Sequence, residues 1–181
     1  MPLPPESPRE PIHQRRVECR GYRRADGLWD IEGHLVDVKS YAFDNAHRGR
    51  LEPGMPVHEM WIRITIDDDL LIHDAVAATD ASPYRICPEV APNFARLKGL
   101  RIGAGFRRAV AERVGGTAGC THIVELLGPL ATTAIQTIMP IKSRAQPNDP
   151  TRRPRLIDSC YALRADGEVA KRQWPQFYTG T

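Results

Sequence analysis

The stretch Met60-Trp61-Ile62-Arg63-Ile64-Thr65-Ile66-Asp67-Asp68-Asp69-Leu70-Leu71-Ile72-His73-Asp74-Ala75-Val76-Ala77-Ala78 decides the fold class. Met60, Ile62, Ile64 and Ile66 alternate with Trp61, Arg63, Thr65 and Asp67, the period-two pattern of a strand with one buried and one wet face. The Asp67-Asp68-Asp69 triplet turns the chain, and Leu70 to Ala78 returns as the second arm of a hairpin. The triplet lacks the glycine and the spaced carboxylates of a calcium loop, so a solvated turn is the expected reading. His58 shares the parity of the isoleucines and points to the core side near the strand's start, whereas His73 has the opposite parity to Ile72.

Upstream, residues 15–43 read as two strands around Arg24-Ala25-Asp26-Gly27, because Asp-Gly is a strong hairpin signal. In the second arm Trp29, Ile31 and Leu35 share one face, with Asp30, Glu32 and His34 on the other. The connection 44–56, dense in Gly, Pro and charge, is long for a hairpin loop and is expected to cover a pocket. Residues 1–14 are rich in proline and are expected to be disordered.

Downstream, prolines at 83, 88 and 92 forbid regular pairing. A short helix is expected over 93–98, ended by Gly99, and a longer one over 102–114, with Ile102, Phe106 and Val110 on one face and Gly115-Gly116 as its stop. A third helix begins near Cys120, with Val124, Leu127, Ala131, Ala134, Ile135 and Ile138 as its core stripe. The segment 140–155 reads as a mobile loop, and a last hairpin is expected over 156–169 around Ala165-Asp166-Gly167. Strands segregated from helices predict an α+β fold, an antiparallel sheet of hairpins with helices packed on one face, forming a single domain over 15–175.

The composition narrows the function. A net charge of +3 is spread over short arginine pairs, and an aromatic content of 7% offers no stacking platform, so nucleic acid is not an expected partner. No uninterrupted apolar run reaches the length of a membrane helix, and the N-terminus lacks the order of a signal peptide, so a cytoplasmic protein is expected. The oligomeric state is left open, a homo-oligomer included. Gly-x-Gly-x-x-Gly, phosphate-loop and Gly-x-Ser-x-Gly motifs are absent.

The chemistry concentrates at Gly119-Cys120-Thr121-His122-Ile123-Val124-Glu125, where a thiol and an imidazole sit together at a helix start. Residues two apart on a helix face different directions, so Cys120 and His122 converge only if Cys120 caps the helix. Glu125 reads as a ligand, a partner to the imidazole or simply a favourable acid in the first turn. Cys87, in a Pro-flanked loop, is the candidate third metal ligand, and His58 the fourth. Cys160 is a weaker candidate, and Cys19 packs in the first strand. Cysteine and histidine donors favour zinc or ferrous iron (Zn2+ or Fe2+) over magnesium. Cys2His with an open position is catalytic in type, Cys2His2 is closed and structural, and a metal-free Cys120 nucleophile paired with His122 stands as a further alternative.

The series Asp26-Gly27-x-Trp29, Leu35-x-Asp37, Gly54-x-Pro56-x-His58-x-Met60, Pro83-Tyr84-x-x-Cys87, Leu97-x-Gly99-Leu100-x-Ile102-Gly103-x-Gly105-Phe106 and Gly119-Cys120-Thr121-His122-x-x-Glu125-Leu126 resembles the bacterial family catalogued as domain of unknown function 2889. The resemblance runs from about residue 15 to 175. It implies an association with the breakdown of aromatic compounds and a relationship to lyases that release formaldehyde from lignin-derived aromatic dimers. A fainter similarity, through Ile72-His73-Asp74-Ala75, Cys87 and Cys120-Thr121-His122-Ile123, is to iron–sulfur scaffold proteins of the NifU and SufU type, although their tight ligand loop is missing here.

The expectation is thus a metal-dependent lyase for a small aromatic molecule. Cys87, Cys120 and His122 hold the metal, with His58 as fourth ligand or base, and His58 or Glu125 moves the proton. The alternative is a non-catalytic metal-binding or scaffold-like protein.

Overall fold

A computed structural model describes residues 3–145, 149 and 151–181. They group into two compact units, Met1–Ile141 and Lys142–Thr181. In the first unit, β1 (His13–Arg23), β2 (Trp29–Lys39), β5 (Pro56–Ile66) and β6 (Ile72–Ala81) form an antiparallel sheet in the order β1-β2-β5-β6. The short strands β3 (Phe43–Asn45) and β4 (Gly49–Leu51) form a separate ribbon within the 44–56 connection.

The first two expected hairpins, β1–β2 and β5–β6, are present. Gly27 takes a φ of 88°, the conformation that an Asp-Gly turn requires. In the second turn Asp67 Oδ1 accepts the backbone N–H groups of Asp69 and Leu71 at 2.8 and 3.0 Å, so this acid builds the turn from its own side chain. Register then places Leu35 opposite Met60, Gly33 opposite Ile62 and Ile31 opposite Ile64, which gathers the apolar residues on one face.

Helix α2 (Thr121–Ala145) lies across that face. Glycines make its approach close. A Cβ at Gly33 would stand 2.9 Å from Leu130 Cδ1, and one at Gly21 would stand 2.1 Å from Thr137 Oγ1. The buried stripe is Ile123, Leu126, Leu127, Leu130, Ala134 and Ile138, with Val124 and Ala131 half-buried and Ile135 exposed. Each fully buried Leu or Ile contributes about 1.5–3 kcal/mol over exposure. By length and composition Thr121–Lys142 also meets the requirement of a membrane span. The expectation that no such segment exists is corrected: scattered Gly, Thr and Pro break the apolar run without lowering its average enough.

A 3₁₀ segment, Cys87–Leu97, absorbs the expected short helix and buries Phe94 and Leu97. Pro88 and Pro92 supply no N–H to an α ladder, which favours the tighter form here. Helix α1 (Phe106–Val114) begins four residues later than expected, because Gly105 sits in the left-handed region (φ 80°) just before it.

The second unit corrects the expected final hairpin. Among its described residues there is no strand; it holds 3₁₀ turns at Tyr161–Leu163 and Pro175–Phe177 and helix α3 (Glu168–Gln173). Gly167 has φ −95° and ψ 165°, an extended conformation that leads into α3 instead of closing a hairpin. The expected loop over 140–155 meets the end of α2 through residue 145, and 146–148 and 150 lie outside the described residues. Residues 3–12 form no helix or strand, and the first two residues of the expected disordered terminus lie outside the described residues.

Candidate metal centre

One end of the sheet carries an unusual load of polar side chains on its core face. The start of β1 supplies His13 and Arg15, the end of β2 supplies Asp37, the start of β5 supplies His58, and the start of α2 supplies His122. Pairing brings Arg15 opposite Asp37 and Asp37 opposite His58. The β2–β5 register shifts immediately after Asp37, with Val38 opposite Pro56, a bulge of the kind that re-aims side chains beside sites.

Asp37 is the hub and is only 1% exposed. Arg15 grips it as a fork, Nε donating to Oδ1 and Nη2 to Oδ2, both at 2.8 Å. His58 Nδ1 lies 3.0 Å from Oδ2, His122 Nε2 lies 3.9 Å from the same oxygen, and His13 Nε2 lies 3.3 Å from Oδ1. The His58 and His122 rings stack with centroids 3.8 Å apart. Asp37, His58 and His122 offer one ligand atom each, all within 4.8 Å of one another, and can hold a metal ion.

Electrostatics favour that use. Burial pushes the Asp37 carboxyl up, but the Arg15 fork and charge and the His58 bond outweigh it, so its pKa is lowered and it is ionised. Burial lowers His58, the adjacent His122 lowers it further, and Asp37 only partly compensates. His122 is lowered by burial and then by the Arg15 charge, against the opposing pull of Asp37 and Glu125. Both imidazoles are therefore neutral at pH 7, the form that binds metal.

His58 and His122, named from sequence, are thus brought together. Cys120 caps α2: its carbonyl accepts the Val124 N–H at 2.9 Å, and its Sγ lies 3.8 Å from His122 Nδ1 and 3.6 Å from Met60 Sδ. Gly119 sets this start, since a Cβ there would fall 1.9 Å from the Val114 carbonyl oxygen. Asn93 Nδ2 donates to Ala118 O at 3.1 Å and ties the 3₁₀ segment to the same corner. Cys87 lies outside the three-residue group but lines the same groove as His58, Cys120 and His122. Glu125 is 62% exposed, pairs with Arg15 and does not line the groove. Cys19 packs against the core, and Cys160 is exposed.

Sequence reasoning missed Asp37, Arg15 and His13 as members of the cluster. The signal was there for Asp37, which continues the inward parity of Trp29, Ile31 and Leu35 and so places a carboxylate on the core face.

The groove beside the centre encloses about 610 Å³ and is walled by Met60, Pro83, Tyr84, Ile86 and Val90. The β3–β4 connection brings His47 edge-on against Tyr84 at 5.5 Å. Among the described residues, none that lines the groove is a lysine or arginine, and Glu89 is its carboxylate.

The family model described as protein of unknown function (DUF2889) matches residues 13–136, a span that contains every residue of the cluster. No curated protein and no solved structure matches the chain.

Proposed function

We propose, from the premise that the chain belongs to the DUF2889 family of proteins of unknown function, that it is a metal-dependent lyase acting on a small aromatic compound. The observation that carries the reading is the convergence of Asp37, His58 and His122 beside an open groove. Two imidazoles and one carboxylate are a donor set used by catalytic zinc and by non-haem ferrous iron, and they leave coordination positions free for substrate. Zinc or ferrous iron bound there would polarise a substrate oxygen and ease cleavage of an adjacent C–C bond. The apolar walls, with no lysine or arginine among the described lining residues, suit a neutral aromatic molecule. The resemblance to proteins associated with aromatic breakdown points the same way, and to lignin-derived dimers and formaldehyde release in particular.

His58 and His122 serve as ligands. Glu125 pairs with Arg15 and does not line the groove, so on this reading Glu89, the carboxylate in the lining, would move the proton. Cys120 sits beside His122 as its neighbour through Nδ1.

Elemental analysis of protein purified without chelator tests the reading. About one zinc or iron per chain is expected, lost in His58→Ala and His122→Ala. Incubation with lignin-type dimers, followed by chromatography and formaldehyde detection, tests the reaction. Folded wild-type protein without metal, even after zinc or iron is added, overturns the proposal.

A further inference from the structure

We infer that Arg15 is a positioning residue of this centre and that Glu125 is its counter-charge; the metal part of the inference rests on the reading above. Arg15 stands out because a cation beside a metal site is, on charge alone, a defect. Its guanidinium nevertheless holds both oxygens of Asp37, which is buried. With that fork in place the carboxylate plane is fixed, and Oδ2 is presented to His58 and toward His122. Because the Arg15 fork uses both Asp37 oxygens as acceptors, the bond between Oδ2 and His58 is made with the proton on His58 Nδ1 in the metal-free protein. Arg15 thus sets the orientation of a ligand it does not touch.

The remaining donor, Nη1, goes to Glu125 on α2. One side chain of β1 therefore joins β2 and the start of the helix that carries His122. It also settles the charge. Asp37, Arg15 and Glu125 together carry one net negative charge, so the cluster attracts a divalent cation despite the arginine. Glu125, an exposed acid three residues after His122 that does not line the groove, thereby gains a role.

Charge and positioning make opposite forecasts, which makes the idea testable. If Arg15 were only a neighbouring charge, Arg15→Met would tighten metal binding. If it positions Asp37, then Arg15→Met and Arg15→Lys should both weaken binding by about 10–100-fold, the usual cost of losing an outer partner. Lysine keeps the charge but loses the fork, so it should not rescue. Glu125→Gln should weaken binding by a smaller factor, in a salt-dependent way. Zinc and cobalt affinities are read by chelator competition. In parallel, nitrogen-15 NMR of the metal-free proteins reports the His58 tautomer, with circular dichroism confirming the fold.

The expected result is a single Nδ1–H tautomer of His58 in wild type and a mixture in both Arg15 variants. Tighter metal binding in Arg15→Met, or an unchanged tautomer in folded variants, overturns the inference. A wild type that binds no metal but shows the tautomer change sinks the metal reading and leaves the positioning role standing. Should Arg15→Met fail to fold, Arg15→Lys and Glu125→Gln carry the same decision.

Discussion

Arg15→Ala and Asp37→Ala remove opposite halves of one ion pair, and their costs should differ in a stated order. Asp37 is 1% exposed and accepts two bonds from Arg15 and one from His58. Deleting Arg15 leaves a buried carboxylate short of its fork, the situation in which breaking a buried pair costs about 3–5 kcal/mol. Deleting Asp37 leaves a guanidinium that is 34% exposed and still paired with Glu125, so it can rehydrate. Discounting for that screening, Asp37→Ala should cost about 2–3 kcal/mol, mainly from the lost packing and the stranded His58 donor. Urea unfolding at pH 7 in the presence of a chelator reads both, with unchanged m-values as the check on a common unfolded state. Equal or reversed costs would refute the claim that burial of the carboxylate governs this pair, and so would losses under about 0.5 kcal/mol for both, the range of a surface salt bridge.

Leu130→Ala, at a fully buried position of α2 against Gly33, should cost about 2–5 kcal/mol in the same assay; a loss below 1 kcal/mol would mean that α2 is not docked on the sheet. Gly119→Ala should cost about 1–3 kcal/mol through its clash with the Val114 carbonyl and should lower metal content by displacing the start of α2; wild-type values for both would refute the close approach. Metal-free protein should lose stability as pH falls below 6.5, because the unfolded chain takes up protons there that folded His58 and His122, with their lowered pKa values, refuse. The slope is at most about 1.4 kcal/mol per pH unit for each histidine and should flatten in His58→Gln; stability that rises on acidification through this window would contradict the assigned shifts.

How far the fold could be read depended on whether a local signal had one physical meaning. Alternation over 60–66 was unambiguous because one-sided burial permits only one register. The two Asp-Gly sequences were not equivalent. Gly27 adopts the positive φ of a hairpin turn, whereas Gly167 stays extended and is followed by Glu168 in the first turn of α3. Nothing within the four residues of either turn separates them; the flanking strands do, and only around Gly27 are there two alternating arms. Helix α2 was legible as a helix, but its buried stripe includes Ile123, Leu126 and Leu130, because the glycine-lined sheet selects which side can approach most closely. At the site, His58 and His122 were readable from parity and from the helix start. Asp37 was readable only as an inward acid without a stated partner. Arg15 was out of reach, since its importance comes from a pairing with Asp37 across 22 positions and with Glu125 across 110.

That separation of 110 positions between Arg15 and Glu125 also bears on when the centre can exist. Closing so long a loop is slow, and no local stretch of chain holds more than one of the three clustered side chains Asp37, His58 and His122. During synthesis β1, β2 and β5 emerge long before His122 does, so a nascent chain offers an incoming cation only Asp37 and His58, without the helix that completes the set. On the proposed reading, metal capture would therefore be a late event that reports a finished sheet and a docked α2, and a chain stalled or cut before residue 121 would lack the third side chain however well its hairpins had formed.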